Sequence, residues 1–231
     1  MLRRLISVFR SSDPLREMGD NFTEMLGIAE ELSLRAGKMF FGGEASPEER
    51  SWIYDNDVRV NQLQREIRKQ VITHLSLSGN TLDLPYCLLL ISLVKDVERI
   101  GDYAKNLIEI GDFFTGPLPD DELFAELGQI RNGVDSTFAG LAQLLGGSSQ
   151  EAALVLIHQG KELVRRCDSL VVRAAQSSHD AAATVAVVLG TRYYKRIGAH
   201  LLNILSSVVM PLHKVDYYDE VSMPPELKTQ G

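Results

Sequence analysis

Glu98-Arg99-Ile100-Gly101-Asp102-Tyr103-Ala104-Lys105-Asn106 is the stretch on which the reading of this chain turns. A second copy follows 97 residues on, as Lys195-Arg196-Ile197-Gly198-Ala199, with Asn203 at the same distance from its glycine. Repetition at a fixed offset is the mark of a duplicated structural unit. Glycine inside a helix costs about 1 kcal/mol relative to alanine. Two glycines at equivalent places therefore predict two close helix approaches.

The segments around both copies read as long helices. Leu90, Leu93, Val97, Ile100, Ala104, Leu107 and Ile108 recur at three and four residues, as do Leu189, Tyr193, Ile197, Leu201 and Ile204, with Val187 ahead of them. Breaks fall at Gly42-Gly43, Ser78-Gly79-Asn80, Thr115-Gly116-Pro117, Gly146-Gly147 and Ser177-Ser178. Ser46-Pro47-Glu48-Glu49 predicts a capping box with proline at the first helical position, and Ser148-Ser149-Gln150-Glu151 repeats the Ser-x-x-Glu pattern. Helices are expected over 13–41, 47–77, 82–114, 119–145, 149–176 and 180–210. Strand alternation is missing, and short links between long amphipathic helices imply antiparallel neighbours. The expected fold is all-α, two tandem three-helix bundles. Residues 1–12 form a basic amphipathic segment, 13–116 the first repeat, 117–212 the second and 213–231 a tail that includes Pro224-Pro225.

Composition narrows the function. A net charge of −7 disfavours nucleic acid, whose binding needs clustered positive charge. No run of eighteen apolar residues offers a membrane span. The start of the chain lacks the small-residue cleavage pattern of a secretory signal. Cys87 and Cys167, far apart and each within an apolar helical pattern, predict core packing and a reducing cytoplasm. His74, His158, His179, His200 and His213 are scattered, with no zinc or di-iron pattern. No glycine-rich phosphate loop is present. Leu2, Leu5, Ile6 and Phe9 share a helical face beside Arg3, Arg4 and Arg10. That face suits either docking on the bundle or peripheral contact with a partner or the inner membrane.

Glu98, Asp102 and Asn106 are spaced by four and form one helical stripe. At about 100° per residue the stripe drifts from the face of Val97 toward solvent. Asp57 and Asn61, also four apart, offer a partner stripe on the preceding helix. Oxygen ligands in this number suit a hard or borderline cation. The competing reading is a solvated face balanced by Lys95, Arg99 and Lys105. In the second copy Lys195 and Ala199 replace the two acids, leaving Asp168 and Asn203, with Val164 in the place of Asp57. A lysine there repels a divalent cation and can pair with Asp168, so any metal belongs to the first copy alone.

The nine-residue stretch resembles the signature helix of the PhoU family, close to Glu-Arg-Ile-x-Asp-His-x-x-Asn, and the resemblance spans about residues 20–212. It implies two three-helix repeats and a cytoplasmic, non-enzymatic regulator of phosphate uptake and signalling. It also implies docking on phosphate transporter components or a sensor kinase, homodimer formation, and a metal (Mg, Mn, Fe or Zn) on Glu98 and Asp102. A metal-dependent enzyme built on those two acids, or a structural accessory of a phosphate or ion symporter, is the alternative.

Overall fold

The computed structural model describes residues 13–42, 46–77, 79–114, 118–147 and 149–217. The expected amphipathic segment 1–12 and the tail beyond residue 217 lie outside the described residues. Six long helices account for most of the rest: α1 (Asp13–Gly42), α2 (Pro47–Ser76), α3 (Leu84–Glu109), α4 (Glu122–Gly146), α5 (Gln150–Ala175) and α6 (Ala181–Val209). No strand occurs among the described residues, and the all-α fold expected from the periodicity is the fold observed.

Local chemistry sets the helix starts. Ser46 Oγ accepts from the Glu49 amide at 3.2 Å while the Glu49 carboxylate accepts from the Ser46 amide at 3.0 Å, the expected box ahead of α2. The second expected box does not form. Ser149, not Ser148, caps α5 through the Ala152 amide, which leaves Glu151 one place short of the reciprocal bond. Asp121 and Asp180 cap α4 and α6, so α4 starts three residues later than expected and α6 one. A 3₁₀ turn, Asn80–Asp83, joins α2 to α3 and is pinned by His74 Nε2 on Asp83 Oδ2 at 2.8 Å and by the Asn80 amide on the His74 carbonyl.

α1, α2 and α3 pack mutually, as do α4, α5 and α6, and α3 lies against α6 along the joint between the two sets. Ile100 and Ile197, the central residues of the repeated motif, are both fully buried. Cys87 and Cys167 are buried free thiols, pushed by burial up to about 11 and about 12. No described helix is long and apolar enough to cross a membrane.

The motif glycines are less constrained than expected. A Cβ on Gly101 would meet Leu32 Cδ1 at 3.5 Å, and one on Gly198 would meet Leu163 Cδ2 at 3.4 Å, both ordinary contacts. Tighter positions lie elsewhere, among them Gly37 of α1, where a Cβ would stand 2.7 Å from the hydroxyl oxygen of Tyr194 on α6. That hydroxyl is buried without a hydrogen-bond partner. Removing an unsatisfied polar atom while keeping the ring is favourable or neutral. Tyr194→Phe is therefore expected to leave stability unchanged or to raise it by about 1 kcal/mol. Chemical denaturation checks this, and a loss of stability would show that the hydroxyl has a partner in solution.

Candidate functional site

The repeated motif places its polar residues in a groove between α2 and α3. Antiparallel packing sets Gln64 against the Val94 carbonyl and Arg50 against Asp112, which brings Asp57 level with the turn from Gly101 to Lys105. Glu98, Asp102 and Asp57 lie near one another there. Asn61 and Asn106 stand one turn beyond Asp57 and Asp102 on their own helices, both half-buried. The stripe does not drift into solvent. Glu98 and Asp102 keep only 18% and 26% of their side-chain surface exposed. Rotation about one helix axis takes no account of α2, whose Asp57 lies against Gly101 and Lys105 on that side of α3.

Basic side chains occupy the space between these acids. Lys105 Nζ lies 2.8 Å from Asp57 Oδ2 and 3.5 Å from Asp102 Oδ1. Arg99 reaches Asp102 Oδ2 at 2.9 Å and Glu98 Oε2 at 3.5 Å. Burial works against the charge on Lys105, but the hydrogen bond and field of Asp57, followed by Asp102, outweigh it and raise the ammonium's pKa. The Glu98 carboxyl is raised by burial first and by Asp102 second, with Arg99 pulling it back. Among the described residues no group of three or more His, Cys, Asp or Glu side chains is arranged to hold a metal ion.

The shift on Glu98 gives a pH dependence. A carboxyl raised above its ordinary 4.5 holds its proton more readily folded than unfolded. Its contribution to stability is thus fully present at low pH and is lost as pH rises through the folded value. Glu98→Gln removes that loss. It is expected to stabilise the protein at neutral pH by under about 1 kcal/mol, given the groove's partial exposure, with the gain fading as pH falls through the glutamate range. Urea denaturation at pH 4 and pH 7 makes the comparison.

In the second copy Lys195 Nζ pairs with Asp168 Oδ1 at 2.5 Å, beside the half-buried Ala199. Asn203 does not join them. It turns to α3 and donates to Asp96 Oδ1 at 2.8 Å, an oxygen that also meets His200 Nδ1 at 2.7 Å. Asp96 is almost fully buried, and this joint between the repeats is the main polar feature the sequence reading missed. Its signal was an acid lodged in the apolar run Leu93, Val94, Val97 and Ile100. Tyr103 adds to the joint by stacking on Tyr193 and His200 at 6.2 and 5.8 Å. Asp216 closes the far side, with its carboxyl raised by burial first and then by Asp96.

Residues 22–111 match the model of the PhoU domain. That span takes in most of α1 and all of α2 and α3. Among solved structures the chain is similar to PhoU from Pseudomonas aeruginosa, with a TM-score of 0.74 and 19% sequence identity. The match covers 87% of this chain and 97% of that one. None of the curated proteins matches.

Proposed function

We propose that this chain, whose residues 22–111 match the PhoU domain, regulates phosphate transport and phosphate-responsive signalling by docking on a transporter component or a sensor kinase. The observation that carries the reading is the domain match, which contains the motif Glu98–Asn106 within one continuous three-helix unit. The likeness of fold over 87% of the chain extends the same architecture to the second repeat. A cytoplasmic location follows from that role.

The chemistry of the groove suits recognition better than catalysis. Asp57 and Asp102 are each held within 2.9 Å of a basic nitrogen, and Glu98 shares Arg99 with Asp102. A general base needs a carboxylate free to take a proton from a substrate. Long helices with a buried joint between the repeats instead supply a rigid surface for a partner.

The test is genetic and biochemical. Deleting the gene should change phosphate uptake and derepress a phosphate-starvation reporter in phosphate-rich medium, with both restored by the wild-type gene. Crosslinking in the native host should join the chain to a phosphate transporter subunit or a histidine kinase. Unchanged uptake and reporter output in the deletion strain would refute the regulatory reading.

A further inference from the structure

The resemblance assigns a metal ion to the stripe of Glu98 and Asp102, and the donor set of this chain does not fit one as it stands. A cation entering the groove needs the oxygens that face it. Asp57 Oδ2 and Asp102 Oδ1 are the two that face inward from opposite helices, and the Lys105 ammonium lies between them. The charges balance without any guest: Asp57, Glu98 and Asp102 are met by Lys105, Arg99 and the field of Arg68. A divalent ion would have to expel an ammonium that is itself held by two carboxylates and is only 23% exposed.

We infer that Lys105 is a built-in counter-cation standing permanently in the place of the metal, so that the first repeat is metal-independent. Like charges gathered in a groove demand a compensating cation, and a lysine on the same helix supplies it at no cost in association. The second repeat reaches the same end by a different residue. Lys195 ties α6 to Asp168 of α5, as Lys105 ties α3 to Asp57 of α2. The two lysines are not equivalent under the repeat: Lys195 stands at the place of Glu98, and the counterpart of Lys105 is the fully buried Leu202. An ammonium bridge between the second and third helices thus arises twice, from two different positions.

The inference goes beyond the regulatory reading and does not depend on it, because its readouts are metal content and stability. Wild-type protein, Lys105→Met, and Lys105→Met with Asp57→Asn are each incubated with Mn²⁺, desalted and measured by elemental analysis. Thermal unfolding is followed with Mn²⁺ and with EDTA. Wild-type protein is expected to retain no stoichiometric manganese and to show the same midpoint in both buffers. Lys105→Met should retain about one ion per chain and gain several degrees with Mn²⁺, and adding Asp57→Asn should abolish both effects. Lys105→Gln serves in place of Lys105→Met if the latter does not fold. Stoichiometric manganese on wild-type protein that is lost in Glu98→Gln/Asp102→Asn would overturn the inference and restore the expected cofactor. A folded Lys105 variant that binds no metal would also overturn it, reducing the lysine to an ordinary ion pair.

Discussion

Ile100→Ala and Ile197→Ala are each expected to destabilise the protein by about 3 kcal/mol and to shift one and the same unfolding transition. Both side chains are fully buried, each at the centre of its copy of the motif. Truncating isoleucine in a packed core loses transfer free energy and leaves a cavity that relaxes only in part. The shared transition follows from the joint. α3 and α6, the helices that carry the two isoleucines, pack on each other, and buried Asp96 of α3 bonds to His200 and Asn203 of α6. A repeat that lost its own core would expose that face of its neighbour. Differential scanning calorimetry settles the point. Two separable transitions, with each substitution moving only one, would show that the repeats fold independently.

Breaking the Lys105–Asp57 pair is the second large effect. Lys105→Met is expected to cost about 2 kcal/mol, below the figure for a fully buried pair because the lysine keeps some exposure. The cost arises from Asp57, whose side chain is 10% exposed and would be left with a charge and no counter-ion. Adding Asp57→Leu should recover most of the loss, since the most deeply buried of the carboxylates left without its cation is then gone and Asp102 keeps Arg99. The equivalent break in the second repeat is expected to be small, at most about 1 kcal/mol, because Asp168 is 58% exposed and water can replace its partner. Guanidinium denaturation of the single and double variants supplies the cycle. Equal costs in the two repeats would mean that burial does not govern these pairs.

The helices were legible because each carries its own instructions. Apolar residues at three and four, capping side chains such as Ser46, and paired glycines at the breaks act within a few residues of chain. The observed ends therefore fall within a few residues of those expected. The duplication was legible for the same reason, since Arg-Ile-Gly recurs in the string itself. The site was legible only in part. Four-residue spacing placed Glu98 with Asp102 and paired them with Asp57, but it gave Lys105 no more weight than Lys95 or Arg99 as a balancing charge.

What separates those lysines is tertiary. Sequence alone determined that the chain is helical, that it is built twice, and that the acids of the first copy are lost from the second. Only the packing decided which cation answers those acids, because that depends on α2 lying antiparallel to α3 with Asp57 level with Lys105. Only the packing turned Asn203 away from Lys195 and onto Asp96, because the repeats meet along α3 and α6, over a hundred residues apart in the chain. Helix periodicity fixes the direction in which a side chain leaves its own axis. The charge it meets there is set by the neighbouring helix, and that pairing is a property of the fold.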